Sequence, residues 1–485
     1  MFDKCQYQLL SPDAAGEGKD LINDKSALDG VRRIQALLSD WLRMENVVVL
    51  TAAGCSVASG GRLMAGLPEN NLECLVLDAV EKCNLSENSQ TIIGWKKSNG
   101  FGSGNFEEWL SYVFNASNIA KSASSPIDSV LWKKDDFLGE DETVSLSKDD
   151  ETQLQNFIEK AIFSECALML DSREITSEKQ DQSSGHLSFL AKLIARDSNL
   201  GRTHLFTLNY DTLFEQALEE LGIQYFDGFT GRASARFDPS VYGLDIYYPG
   251  DVAEGRVRRF DKFLQYYKLH GSIHWFTDDQ GICRAQHRDL SFASEYRNLE
   301  PSKKAEMLQS DELQKIGSFG ILPTSQKFSQ SLDMPYAHLF RLFHARLNQP
   351  QTFFLVLGYG FGDEHVNRII ETALMNPSLI MLVVEPNPHS EIVKRLKRYQ
   401  NLGQRAFVLT ERLENDAACS YQTATFADFA QNIMPDIKWL DDFKRLRKFE
   451  NDIRKLAPDP DINTLNIPEA DDIGANNSDD DEVPF

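Results

Sequence analysis

Apolar residues recur along this chain in two rhythms, and the points where one gives way to the other divide it. Leu28, Val31, Ile34, Leu37, Leu38, Trp41 and Leu42 share one face of a 3.6-residue repeat, so Ser26 to Met44 reads as a helix with Ser26 as its N-cap. Val47 to Leu50 is uninterrupted apolar chain, a buried strand, and the next helix is expected near Ser59 or beyond. Residues 70–200 read as a helical insertion, with helices at Phe106 to Val113 and Leu154 to Leu170 and a polar break at Lys133 to Asp150. A second series of strands follows at Thr203 to Leu208, Gln224 to Phe226, Gln265 to Leu269, Thr352 to Leu357, Leu379 to Val384 and Ala406 to Thr410. Helices are expected between them at Asp211 to Leu221, Pro335 to Asn348, Glu364 to Met375 and Ser390 to Leu402. Strands that alternate with helices imply an α/β fold with a doubly wound, mostly parallel sheet.

The expected organisation is an N-terminal helix and first βα unit (1–69), the helical insertion (70–200), the rest of the sheet (201–415), a helical segment (416–456) and an acidic tail (457–485). Within the fourth segment, Asp441 to Leu456 reads as a last helix carrying Lys444, Arg445, Arg447, Lys448, Arg454 and Lys455. The tail is poor in apolar residues and rich in acids, which predicts disorder.

The bulk composition narrows the function classes. The 485 residues include 42% hydrophobic residues and 30 Phe, enough for a substantial core. Seven scattered cysteines form no CxxC, so neither a disulfide framework nor a zinc ribbon is indicated and a reducing cytoplasm fits. No apolar run approaches the ~20 residues of a membrane span, and residues 1–10 lack a charged-then-apolar leader, so neither export nor membrane insertion is expected. The net charge of −23 disfavours non-specific nucleic-acid binding. Nine of the acids fall in the tail with no base beside them, which leaves −14 for the remainder.

Candidate chemistry gathers in short stretches that each follow or end an apolar run: Thr51-Ala52-Ala53-Gly54-Cys55-Ser56, Thr207-Leu208-Asn209-Tyr210-Asp211, Lys268-Leu269-His270-Gly271-Ser272 and Gly358-Tyr359-Gly360-Phe361. Each is therefore expected at the carboxyl end of a strand, where open α/β sheets bind ligands. Read residue by residue, they leave alternatives. The small residues at Ala52, Ala53 and Gly54 suit either a phosphate cradle or a tight packed turn. Asn209 and Asp211 suit either a polar site or a helix cap, and His270 suits either proton transfer or a hydrogen-bonded structural role. Asp363 with His365 has the look of a metal pair but lacks a third ligand, so capping is the simpler reading.

In their order the four stretches resemble the sirtuin-like NAD-binding fold, a Rossmann-like sheet, and more closely its bacterial branch of NAD-degrading anti-phage defence enzymes than the deacetylases. Ala52-Ala53-Gly54-Cys55-Ser56 with Ser59-Gly60 resembles the Gly-Ala-Gly-Ile-Ser-like turn that opens such sites, with Ala52 in place of the first glycine. Thr207 to Asp211 is similar to the Thr-Gln-Asn-Ile-Asp motif. The resemblance implies that Asn209 orients a water or ribose hydroxyl at the anomeric carbon and that Asp211 contacts the nicotinamide carboxamide. It implies His270 as the catalytic histidine, Gly358, Tyr359 and Gly360 as a turn against the ribose, and Glu385 and Asn387 as contacts to the adenosine ribose. The zinc module of the deacetylases, two cysteine pairs, has no counterpart here, and Gly61-Arg62-Leu63-Met64 does not reproduce their Pro-Asp-Phe-Arg loop. No zinc is expected, and water in place of an acyl-lysine acceptor is implied.

The function implied is an NAD+ glycohydrolase with NAD as substrate, held in check until triggered. The alternatives are an ADP-ribosyl transferase or deacylase, or a non-catalytic sensor of NAD or ADP-ribose. The resemblance further implies a homo-oligomer acting with a partner such as an ATPase, an argonaute or a phage protein. The ending Ser478-Asp479-Asp480-Asp481-Glu482-Val483-Pro484-Phe485 resembles the acidic tip of bacterial single-stranded-DNA-binding proteins, which implies docking to pockets that take such tips; a solvated tail is the alternative.

Overall fold

The seven expected strands join two unexpected ones, the first two in chain order, in one nine-stranded sheet: β1 (Tyr7–Ser11), β2 (Lys19–Asp20), β3 (Asn46–Thr51), β4 (Thr203–Thr207), β5 (Gln224–Phe226), β6 (Phe263–Lys268), β7 (Thr352–Leu357), β8 (Leu379–Val384) and β9 (Ala406–Glu411). The computed structural model of the protein describes residues 5–12, 18–23, 26–63, 71–98, 106–121, 128–134, 142–170, 185–197, 199–231, 235–253, 256–277, 283–286, 290–310, 334–395, 405–413 and 419–436. The chain divides into two units, Met1–Pro435 and Asp436–Phe485. The expected helix at Asp441 to Leu456 and the acidic tail lie outside the described residues.

Across the sheet the strands run β2-β1-β9-β8-β7-β3-β4-β6-β5. All pairings from β9 to β5 are parallel, while β1 joins β9 antiparallel through Tyr7↔Glu411 and Leu10↔Val408. Strand β3 is central: the chain builds outward through β4 and β6 on one side, then returns to build β7, β8 and β9 on the other. The reversal makes the carboxyl edge between β3 and β7 the switch point where such sheets open a crevice.

Parallel strands buried on both faces need apolar residues at every position. Strand β3 shows this, with Val47, Val48, Val49 and Leu50 all inaccessible to solvent. One face carries α10 (Tyr336–Leu347) and α11 (Glu364–Ala373), packed through Leu339, Phe343, Val366 and Ile370 onto Val48, Leu50, Phe206 and Val356. On the other, α1 (Ala27–Trp41) lays Trp41 against Phe353 and Phe407 at ring distances of 5.6 and 4.7 Å. Burying one such ring contributes roughly 2–3 kcal/mol. Helix α6 (His186–Ile194) packs on α7 (Leu213–Glu220), where Phe189 and His186 meet Phe214 and Phe426.

A separate apolar core lies among α2 (Leu72–Glu81), α3 (Glu87–Lys97), α4 (Phe106–Lys121) and α5 (Lys148–Cys166). Two helices from the far end of the sequence, α8 (Ser291–Arg297) and α9 (Pro301–Leu308), complete it with Tyr296, Ala305 and Leu308.

Two local expectations are corrected. The polar break at Lys133 to Asp150 holds the second strand of an antiparallel pair, Ser129–Lys133 with Thr143–Ser147, and α5 begins at Lys148 rather than Leu154. The reason is a capping box: the Ser147 hydroxyl accepts from the Asp150 N–H while the Asp150 carboxylate accepts from the Ser147 N–H, which lets a polar first turn start the helix. Ala53–Cys55 and Val57–Ser59 are two single 3₁₀ turns, and the first described α-helix beyond Ser59 begins at Leu72. In Ser390 to Leu402 the described helix is α12 (Glu391–Arg395), and the rest of that stretch lies outside the described residues.

Candidate functional site

Register places the four stretches side by side. Thr51 of β3 pairs with Thr207 of β4 and with Leu357 of β7; Thr207 pairs with Lys268 of β6, and Leu357 with Val384 of β8. Asn209 and His270 each lie two residues beyond a paired position on neighbouring parallel strands, which run ~4.8 Å apart. Ala53 and Tyr359 stand at the same offset on β3 and β7. The ladder runs one bond past the strands, from the amides of Ala52, Leu208 and Leu269 to the carbonyls of Leu357, Thr51 and Thr207. All these positions therefore share the carboxyl edge.

At the switch point two turns touch backbone to backbone. Gly54 donates its N–H to the Gly358 carbonyl at 2.9 Å. A Cβ on Gly54 would lie 2.6 Å from Gly358 Cα, and one on Gly358 would lie 2.5 Å from the Cys55 nitrogen. Gly358 has φ of 63°, the left-handed region. The small residues here are thus set by chain packing, and the Gly54 amide is already engaged. Cys55, beside it, is fully buried with its thiol pushed up by desolvation, and its Sγ reaches the Leu357 carbonyl at 3.4 Å. It is a packed thiol and no nucleophile.

From Ala52 a directed chain of hydrogen bonds runs inward. The Asn209 carboxamide donates to the Ala52 carbonyl at 3.1 Å and to Ser56 Oγ at 2.9 Å; the Ser56 hydroxyl donates to Asp211 Oδ2 at 2.7 Å. Because the Ala52 carbonyl can only accept, the amide orientation is fixed. Both Asn209 N–H bonds are used, and Oδ1 remains its one open hydrogen-bonding atom among the described residues. The Asn209 backbone N–H is held by Thr207 Oγ1 at 3.1 Å.

Asp211 is engaged by protein donors at both oxygens. Its Oδ1 accepts the Leu213 N–H at 3.1 Å at the start of α7, and its Oδ2 holds Ser56. Burial raises the carboxyl pKa, while the Lys268 cation and the Ser56 hydrogen bond pull it back. Lys268, 2% exposed, bonds the Asp211 carbonyl and meets Glu215 Oε1 at 2.8 Å, and Tyr266 donates to the other Glu215 oxygen at 2.8 Å. Lys268 went unassigned in the sequence reading, although a lone charge ending the apolar strand Phe263–Lys268 was the available signal.

His270 is 3% exposed, with its ring 6.4 Å from that of Tyr210 and 6.3 Å from that of Phe340. Its Nε2 lies 3.5 Å from His365 Nε2. The following residue, Gly271, has φ of 90°. Ser59 Oγ is buried without a partner among the described residues. Gly60 has φ of 81°, and its carbonyl accepts from Arg297 of α8, so the far helices reach the first loop. Behind that loop the buried Glu165 bridges Arg62 at 3.1 Å and Lys304 at 2.6 Å.

The remaining sequence candidates are placed differently. Tyr359 turns inward, 4% exposed, and its hydroxyl meets the Asp363 carbonyl and Asn367 Oδ1 at 3.1 and 3.0 Å. Gly360 has open space where a Cβ would stand. Asp363 occupies the N-cap position of α11 but makes no side-chain cap bond. Glu385 and Asn387 lie past β8, closed on each other: Glu385 Oε1 accepts the Asn387 N–H at 2.9 Å, and burial pushes the Glu385 carboxyl up. Among the described residues, no three His, Cys, Asp or Glu side chains gather to hold a metal ion. No described helix is long and apolar enough to cross a membrane.

Residues 203–403, from β4 to beyond α12, match the family described as SIR2-like domain. The match supports a Sir2-like family and an NAD-related function, and the parallel-rich sheet is the Rossmann-like fold of that family. No curated protein matches the chain.

Proposed function

We propose that the protein is an NAD+ glycohydrolase that cleaves NAD to nicotinamide and ADP-ribose. The observation that carries this reading is the polarity of Asn209, whose donors are both spent on Ala52 and Ser56 while its oxygen is left to accept, one strand away from His270. An accepting oxygen takes a hydrogen from water and turns the water's lone pair outward. Placed over the sugar, that lone pair meets the anomeric carbon as neutral nicotinamide departs. The C–N bond breaks, a C–O bond forms, and the proton lost by the water goes to the His270 imidazole. Asp211 and Lys268 act one step back, fixing the direction of the Ser56 hydroxyl and through it the Asn209 amide.

The biological setting in this proposal is anti-phage defence: a cytoplasmic homo-oligomer that depletes NAD once triggered by a partner, with the acidic tip as a docking element. Restraint is part of the reading because unchecked NAD loss kills the host.

The test is to incubate the full chain with NAD, alone and with candidate triggers, and to separate the products. Free ADP-ribose supports hydrolysis. Modified protein or deacylated peptide supports transfer or deacylation instead, and no turnover with measurable NAD binding supports a sensor. Asn209→Ala and His270→Ala should each abolish hydrolysis without lowering the unfolding midpoint below that of other buried polar deletions; retained turnover removes the residue from its role.

A further inference from the structure

Hydrolysis of NAD releases one proton per turnover, and the base assigned to receive it is shut in. His270 is 3% exposed, walled by the rings of Tyr210 and Phe340. A buried imidazole that has taken a proton must lose it before the next cycle, and a ring so covered exchanges poorly with bulk water. The group at its Nε2 is a second imidazole, His365, with ring centroids 5.6 Å apart and planes at 38°. His365 sits in the first turn of α11 and is half-buried, so it stands between the covered ring and solvent. At 3.5 Å the two nitrogens are at the outer limit of hydrogen-bond contact, and an approach of a few tenths of an ångström brings them within proton-transfer reach.

We propose that His365 is the proton-transfer partner of His270, carrying to solvent the proton that each turnover releases. The proposal rests on the glycohydrolase reading. In each cycle an O–H bond of the attacking water breaks and its proton joins the His270 ring. An N–H bond at His270 Nε2 then breaks as one forms at His365 Nε2, and His365 releases a proton to bulk water. No other reactant is consumed.

The surroundings suit such a relay. Phe340 of α10 faces both rings, at 6.3 Å from His270 and 5.0 Å from His365, and supplies no competing acceptor. On α11 the flanking charges, Glu364 and Arg368, are exposed and paired with each other, and Asp363 precedes the helix. On the His270 side, Lys268 and Asp211 are held by each other and by Glu215 and Ser56.

Two readouts on the full chain test the proposal. The first needs no turnover: ring-labelled histidine NMR titrations of wild type and His365→Gln, with the His270 signal assigned from His270→Ala. Coupled imidazoles titrate as a pair, so the wild-type His270 signal should move in two steps and collapse to one in the variant. An identical single-step curve in both overturns the pairing. The second is kinetic: His365→Ala should lower kcat at least ~10-fold with little change in KM, and added imidazole should restore it in a dose-dependent way while leaving wild type unchanged. A loss that imidazole does not restore, or no loss at all, overturns the relay. Absence of turnover in wild type refutes the glycohydrolase reading itself, and the titration then decides the pairing alone.

Discussion

The contact between Gly54 and Gly358 gives the sharpest prediction about how this edge is built. In Gly54→Ala the added methyl would sit 2.6, 2.9 and 3.1 Å from the Cα, carbonyl oxygen and carbonyl carbon of Gly358. Carbon atoms in contact keep ~3.5–4.0 Å, so the overlap is about 1 Å against backbone, which has no rotamer to yield. The turns after β3 and β7 must separate, with the 2.9 Å hydrogen bond from the Gly54 amide lost as well. Overpacking of this kind costs about 1–3 kcal/mol and the bond about 1 more, so Gly54→Ala should destabilise by about 2–4 kcal/mol. Gly358→Ala meets the Cys55 nitrogen at 2.5 Å and adds the left-handed φ, roughly 1 kcal/mol more. Because both methyls enter one gap, a chain parted by the first accepts the second cheaply, and the double variant should fall short of the sum by at least about 1 kcal/mol. Urea unfolding of the four proteins reads all of this from midpoints at constant slope. Gly360→Ala is the control, since among the described residues nothing lies within 4 Å of its added methyl. Additive losses, or a Gly54→Ala midpoint like that of Gly360→Ala, refute the interlocked-turn account.

Three further outcomes follow from buried polar groups. Ser56→Ala strips Asp211 Oδ2 of its donor and Asn209 of an acceptor, so stability should fall by about 1–3 kcal/mol in thermal or urea unfolding and NAD binding should weaken in titration calorimetry. Lys268→Met leaves Glu215 and the Asp211 carbonyl without their buried cation, for a loss of about 3–5 kcal/mol by the same unfolding measurement. Glu151 is buried in the helical core, with Oε1 bonded by Trp132 Nε1 at 2.5 Å and Oε2 without a partner among the described residues, and desolvation pushes its carboxyl up to about 7 from 4.5. The folded state then holds a proton that the unfolded chain has lost, so stability declines as pH rises from about 4.5 to about 7 and is level above. Glu151→Gln removes that slope: subtracting its unfolding curve from the wild-type curve should leave a change of about 3 kcal/mol confined to this window, and a flat difference contradicts the buried-acid assignment.

How much of this was legible in the sequence depends on how far apart the interacting parts lie. Strands β3, β7, β8 and β9 are unbroken apolar runs, and a sheet covered on both faces imposes that pattern, so the parallel architecture could be read directly. Strand β1 could not: Tyr7–Ser11 is five residues whose partner, β9, stands some 400 residues away. The helical core hid its last members for the same reason, since Tyr296 and Leu308 enter it from the far side of β6. The direction of Tyr359 is equally a matter of tertiary structure. Its ring faces Asn367, eight residues on, because Phe361 at φ of 57° turns the chain and presents its carbonyl to the Asn367 amide at 2.8 Å.

The glycines show where pattern reading reaches its physical limit. A glycine in a sequence says that a Cβ is excluded, without saying by what. At Gly54 the phosphate-cradle reading and the packed-turn reading predict the same residue, and the turn has its own sufficient cause in Gly358. Gly360 is the converse case: among the described residues no atom lies within 4 Å of an added Cβ, and its φ is outside the left-handed region. Asn209 and Asp211 differ in what their protein hydrogen bonds leave open among the described residues. Asp211 has each oxygen engaged by protein donors, while Asn209 keeps one acceptor open at the carboxyl edge after its donors are satisfied.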